Sequence, residues 1–319
     1  MATKIDSAPT QHMTRGCVRF TPGPSYGDAT SALKKIPRYL FRVHAPSTSG
    51  ETSLKSVVSR AALCGHAGSD CDIFSMPPDE AAEMLNCHLR GWARDGDNLM
   101  SWTSSLLFAL QYALYRSIMP KNGRPDDPSD IWIYILDTRL LPGGSFIPDV
   151  ALLDEFTGKD AARTLFPELG LPNKNLELAK KVCRLCVQCF ASPTPATKAD
   201  FRFASSIAQG CFGAEDEWAL PMTAALLSLR KRPINDVVII GGFKALFSDQ
   251  EICEHNLDTF KTFPLDTHPE IHQFSNIIQD LHSDYCTRGL DSVIATAAKL
   301  SHVPSQYQLY VNPNLSCSS

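Results

Sequence analysis

The sequence predicts an α+β fold. Three observations carry that prediction. Strand-like runs at 37–43 ("PRYLFRV") and 131–138 ("IWIYILDT") are β-branched and aromatic. Apolar residues recur at helical spacing over 77–94, 105–118 and 175–190. The two kinds of segment do not alternate regularly, as a parallel β–α–β sheet would require.

Taken along the chain, residues 1–36 are rich in Pro, Ser, Thr and Gly and read as a mobile tail. Pro37 opens the first strand. Residues 48–62 read as a loop with a short helix, and 64–70 as a further loop. Over 77–94 two prolines and the acids Asp79, Glu80 and Glu83 mark a helix start, and Ala82, Leu85, Leu89 and Trp92 form its apolar stripe. "NLMSWT" (98–103) reads as a strand running into the helix 105–118, which buries Leu106, Ala109, Leu110, Ala113 and Leu114. "KNGRPDDPSD" (121–130) is a loop. Residues 141–156 read as an irregular connection, 217–232 as strand before helix, and "DVVIIGGF" (236–243) as a buried strand. Two helices are expected near 269–282 and 287–300. These elements divide the chain into the tail 1–36, a domain over 37–245 and a helical segment over 246–319 packed on it.

Composition narrows the function classes. The chain has 319 residues, 44% hydrophobic and 20% charged, with a net charge of -4. That balance gives no electrostatic case for nucleic acid or an anionic membrane. No apolar run is long enough to span a bilayer, and "MATKIDSAPTQHMTRG" lacks a signal-peptide core. The expected location is cytoplasmic. The 11 cysteines are then reduced, and most are small buried hydrophobes.

Candidate chemistry is sparse. Cys183, Cys186 and Cys189 form C-x-x-C-x-x-C, but steps of three along a helix fan the thiols apart and no fourth cysteine stands near. No metal is expected. "VVIIGGF" is not a dinucleotide fingerprint, and neither G-x-S-x-G nor H-E-x-x-H occurs. His44, His66 and His88 are isolated and read as structural or exposed side chains. Three segments remain: "YLFRVH" with Arg42 in an apolar strand, "SWTSS" with Ser101, Trp102, Thr103 and Ser104, and "GAEDEWALPM" with Glu215 and Glu217. Singly, each has an ordinary account: an edge arginine, helix capping by Ser104 or Ser105, a solvated acidic loop.

In that order the three resemble the ADP-ribosyltransferase pattern of a first-strand Arg, a Ser-Thr-Ser-like strand before an apolar helix, and a late Glu-x-Glu. The chain is also similar, over about 37–245, to an uncharacterised fungal domain family sharing "YLFRV", "DIFS", "SWTSSLLFALQYA" and a later Glu-aromatic pair. The transferase resemblance implies a split mixed or antiparallel sheet flanked by helices, with NAD as substrate. It implies that Glu217 stabilises charge growing on the ribose as nicotinamide leaves. Glu215 would orient a protein or small-molecule acceptor. Arg42 would orient the pyrophosphate, and Ser101, Trp102, Thr103 and Ser104 would line the ribose and nicotinamide pocket. Trp102 breaks the strict hydroxyl triplet, which aligns as Ser101-Trp102-Thr103 or as Trp102-Thr103-Ser104. The alternative is a catalytically inactive binding module on the same scaffold. On either reading Arg42, the "SWTS" stretch and Glu217 are expected around one cleft.

Overall fold

The computed structural model describes residues 18–91, 95–119, 124–156, 174–212, 217–254 and 269–301. In chain order the elements are helix α1 (Gly27–Ala32), strand β1 (Tyr39–His44), the small hairpin β2 (Glu51–Thr52) and β3 (Val57–Val58), and helix α2 (Arg60–Leu63). Helices α3 (Pro78–Arg90) and α4 (Leu106–Ile118) precede strand β4 (Trp132–Asp137) and helix α5 (Asp149–Phe156). Among the described residues the helices that follow are α6 (Lys174–Phe190), α7 (Lys198–Phe212), α8 (Ala219–Leu227), α9 (Val237–Leu246), α10 (Asp249–Glu254) and α11 (Pro269–Ser301). The described chain is thus α+β, with small antiparallel sheets among many helices. None of its described helices is long and apolar enough to cross a membrane.

β1 is the organising strand. It pairs antiparallel with β4, from Tyr39 opposite Asp137 to His44 opposite Trp132. Its other edge meets Thr103 in a single bridge, with Phe41 N donating to Thr103 O at 2.7 Å and Thr103 N to Phe41 O at 2.8 Å. Phe41 and Val43 join the large core formed with α4, α7, α8, α9 and α11. A smaller core lies between α3 and α5, where Met84 and Leu85 meet Leu152 and Leu153.

Several expectations change at the level of tertiary packing. Residues 98–103 form no strand beyond the Thr103 bridge, because side chains there bond the local backbone instead. Asp97 Oδ1 accepts from Leu99 N at 3.0 Å, and Thr103 Oγ1 accepts from Ser105 N at 3.1 Å. The apolar run at 217–232 begins in a turn and becomes α8, which is buried on nearly every face; such a helix has no amphipathic period to read. Pro221 sits in its first turn, where no intrahelical donor is lost. "DVVIIGGF" is helical too. Asp236 caps α9 by accepting from Val238 N at 3.0 Å and Ile239 N at 3.3 Å, and only Ile239 and Phe243 face fully inward. Gly242 is required for closeness: a Cβ there would stand 2.7 Å from the Phe201 ring.

The supposedly irregular stretch 141–156 contains α5, whose Leu152 and Leu153 are buried. Residues 48–62 hold the β2–β3 hairpin before α2. The two expected C-terminal helices are one. Arg288 continues it past "SDYC" by pairing with Asp284 at i−4 and with Asp249 on α10, both at 2.8 Å. Of the expected mobile tail, residues 1–17 lie outside the described residues, whereas the stretch from 18 is partly built into the fold. Ala29 of α1 is fully buried against α5, and Phe20 N donates to Gly144 O at 2.8 Å. Gly144 has φ +85°, and a Cβ there would stand 2.9 Å from Phe20 O.

At the end of β4, Asp137 lies between two arginines. Its carboxylate accepts from Arg38 Nε at 3.0 Å and Arg139 Nη2 at 2.7 Å, and both Arg38 and Asp137 are buried. Burial alone would raise this carboxyl. The hydrogen bonds from Arg139, then the charge and hydrogen bond of Arg38, outweigh it and hold the group below the usual carboxylate range. A depressed folded-state pKa stabilises the fold above the unfolded value of about 3.9 and ceases to do so as pH falls through the folded value. Asp137→Asn is therefore expected to lower stability by about 2–3 kcal/mol near neutral pH, with Arg38 left as an unpaired buried cation. Urea unfolding should show that deficit shrinking below about pH 4.

Candidate functional site

The alternation of side chains along β1 sends Tyr39, Phe41 and Val43 to one face and Leu40, Arg42 and His44 to the other. Arg42 is 7% exposed. Its Nε donates to Thr52 Oγ1 at 2.9 Å, Nη1 to Ser101 O at 2.8 Å and Nη2 to Ser49 O at 3.2 Å. Met100 Sδ lies 3.8 Å from Nη2. Among the described residues no carboxylate pairs with it. Burial pushes the guanidinium down to about 10, with Tyr112 opposing, so it remains a cation at neutral pH. Arg42 thus ties the β2 strand and the Ser101 loop to β1 through neutral acceptors, and its fork is largely occupied by the protein itself.

Ser101, held at its carbonyl by Arg42, is exposed at its hydroxyl. That hydroxyl is 2.7 Å from His88 Nε2, and His88 Nδ1 is 2.8 Å from Asp97 Oδ2. His88 stands on the last turn of α3. Asp97, 6% exposed, follows the turn that brings the chain back. Asp97 is itself fixed: Oδ1 takes the Leu99 amide, and its carbonyl takes Ala61 N at 3.0 Å. An exposed serine, a histidine and a buried aspartate therefore form one hydrogen-bonded chain. The reading of His88 as an isolated side chain is corrected. A helix-terminal histidine followed by the turn-rich "RDGDN" and a serine was the available signal.

The rest of the hydroxyl stretch divides its tasks. Trp102 meets Phe146 edge-on at 6.1 Å between centroids. Thr103 bridges to β1. Ser104 lines a small apolar cleft of about 50 Å³ with Phe41, Met222, Phe274 and Glu270, room for a water or two. Ser105 is the helix cap: its Oγ accepts from Phe108 N at 3.0 Å and donates to the buried Glu270 on α11. Glu270 is the carboxylate facing the hydroxyl stretch, and its place 165 residues beyond Ser105 hid it from local sequence patterns. Cys186 also meets Glu270, at 3.8 Å, and burial with that neighbour pushes its thiol up to about 12. Cys183 is exposed and Cys189 half-buried, so the three thiols diverge as their spacing implies.

Glu217 is exposed, in the turn before α8. The adjacent Trp218 ring packs on Tyr39 at 5.9 Å. Burial pushes the Tyr39 phenol up, and Glu217 adds a smaller push in the same direction. Glu217 therefore lies near Tyr39, whose side chain is on the opposite face of β1 from that of Arg42. Glu215 lies outside the described residues. Of the expected trio, the structure brings Arg42 and the Ser101 stretch together, and Glu217 stands beside the Tyr39–Trp218 ring pair.

A second hollow, of about 350 Å³, opens between Lys34, Arg38, Arg139, Gly143 and Phe146. With Asp137 and Glu217 as the neighbouring acids, its surroundings carry one excess positive charge. Through Phe146 the hollow adjoins Trp102.

Arg42→Lys is expected to break the clamp, because one ammonium cannot serve acceptors on two segments in the way a planar fork does. The expected cost is about 2–3 kcal/mol, the scale of two lost charge-assisted hydrogen bonds. Hydrogen exchange should quicken at 49–52 and 100–103 while α9 and α11 stay protected.

Residues 35–164 match the model of a domain of unknown function (DUF7587). The match covers β1, Arg42, His88, Asp97, the Ser101 stretch and β4, and it excludes Glu217 and Glu270. No curated protein and no solved structure matches the chain.

Proposed function

We propose that this chain carries an ADP-ribosyltransferase-like module that binds an NAD-type dinucleotide without using Glu217 to cleave it. The observation that carries the reading is the 350 Å³ hollow, within the size range of small-molecule sites, edged by basic side chains and walled by Phe146, against which Trp102 packs. A dinucleotide pyrophosphate is an anion suited to the guanidinium of Arg139, and a nicotinamide or adenine ring is suited to Trp102. The arrangement of β1 between β4 and Thr103, with Arg42 against Ser101, supports the transferase-like scaffold. Binding is favoured over transfer because Arg42, which the transferase pattern assigns to the pyrophosphate, is taken up by Thr52, Ser101 and Ser49.

Titration with NAD by calorimetry tests the reading. Binding is expected, about tenfold weaker in Trp102→Ala, the scale of one lost base–aromatic stack. Arg139→Ala should weaken it further in low salt than in high salt. No nicotinamide is expected from the native protein. Nicotinamide release that disappears in Glu217→Gln would restore the transferase, and a flat titration would remove the nucleotide reading.

A further inference from the structure

We propose that Ser101, His88 and Asp97 form a nucleophilic acyl-transfer site for small carboxylic esters or thioesters. The proposal goes beyond the nucleotide-binding module and does not depend on it. It rests on the two linked hydrogen bonds, 2.7 Å from Ser101 Oγ to His88 Nε2 and 2.8 Å from His88 Nδ1 to Asp97 Oδ2. A nucleophile in contact with a base, and the base oriented by a third group, is the arrangement that activates a hydroxyl.

Each part has the environment its role needs. Asp97 is buried and immobilised by the Leu99 amide, so it fixes the ring with Nδ1–H donating to it. That tautomer leaves the Nε2 lone pair free to take the Ser101 proton. Ser101 is exposed, so an ester can reach its oxygen. The buried Arg42 cation, 2.8 Å behind the Ser101 carbonyl, favours negative charge growing in front of it. The charged neighbours on the α2 side, Arg60 and Asp95, pair with each other at 2.8 Å and nearly cancel.

In the first step Ser101 Oγ bonds to the acyl carbon while its proton passes to His88 Nε2. The bond to the leaving alcohol or thiol breaks, and that group departs with the proton from His88. Water then attacks the acyl-serine, giving a proton to His88. The carboxylic acid leaves and Ser101 recovers its proton. The sum is ester plus water giving acid plus alcohol.

An alkyl fluorophosphonate tests the site on the full chain without NAD. Serine oxygen displaces fluoride at phosphorus, and His88 takes the serine proton. One phosphonyl group per chain is expected, mapped by peptide mass spectrometry to Ser101. Ser101→Ala should abolish labelling, and Ser129→Ala, at an exposed serine outside the site, should leave it intact. His88→Gln should slow it on the order of 10²-fold or more, the contribution of a general base. An unlabelled native chain, or labelling indifferent to His88→Gln in a variant with native circular dichroism, would overturn the proposal. NAD titration reads the other module independently, so either can fail alone.

Discussion

A buried guanidinium in the middle of a two-strand sheet is the constraint on which the local structure turns. Desolvating Arg42 is costly, and a cation so placed must collect hydrogen bonds wherever the chain can supply acceptors. It finds them on Ser49, Thr52 and Ser101. Satisfying one side chain of β1 therefore brings the hairpin and the Ser101 loop onto the same face of the strand. The Ser101 hydroxyl stands at the exposed end of that loop, where it meets His88.

The hydroxyl-rich stretch before α4 looks uniform in sequence and is not uniform in use. Thr103 contributes its backbone to β1, and its hydroxyl receives the Ser105 amide. Ser105 is wholly buried as a cap and is further tied to Glu270. Its null exposure makes that contact part of the core, joining α4 to the start of α11. Ser101, at the loop end, is the exposed residue of the stretch. Capping and chemistry are both present, separated by four residues.

The central and best-formed elements were legible because their signals are local. β1 and β4 are aromatic and β-branched with turn residues around them, and α3, α4 and α6 carry clear helical stripes. The errors fall where burial erases the period. α8 is apolar on all sides, and α9 uses β-branched residues that are common in strands yet is held helical by the Asp236 cap and by Phe201 against Gly242. Arg42 and the Ser101 stretch stand out in the sequence, and the structure joins them by a hydrogen bond. The partners that give the site its chemistry, His88 and Asp97, were not, because their alignment depends on the turn between α3 and the loop.

By itself the sequence determined the α+β class, the β1 and β4 segments as strands, the helix that follows the hydroxyl stretch and the absence of an overall charge pattern for nucleic acid. These follow from side-chain size, periodicity and capping, which act within a few residues. The tertiary structure alone decided which acid faces which hydroxyl. Glu270 meets Ser105 directly and Asp97 reaches Ser101 through His88, while Trp218, next to Glu217, docks on Tyr39. Side chains alternate across a strand, so a single choice of packing face settles which distant groups can meet.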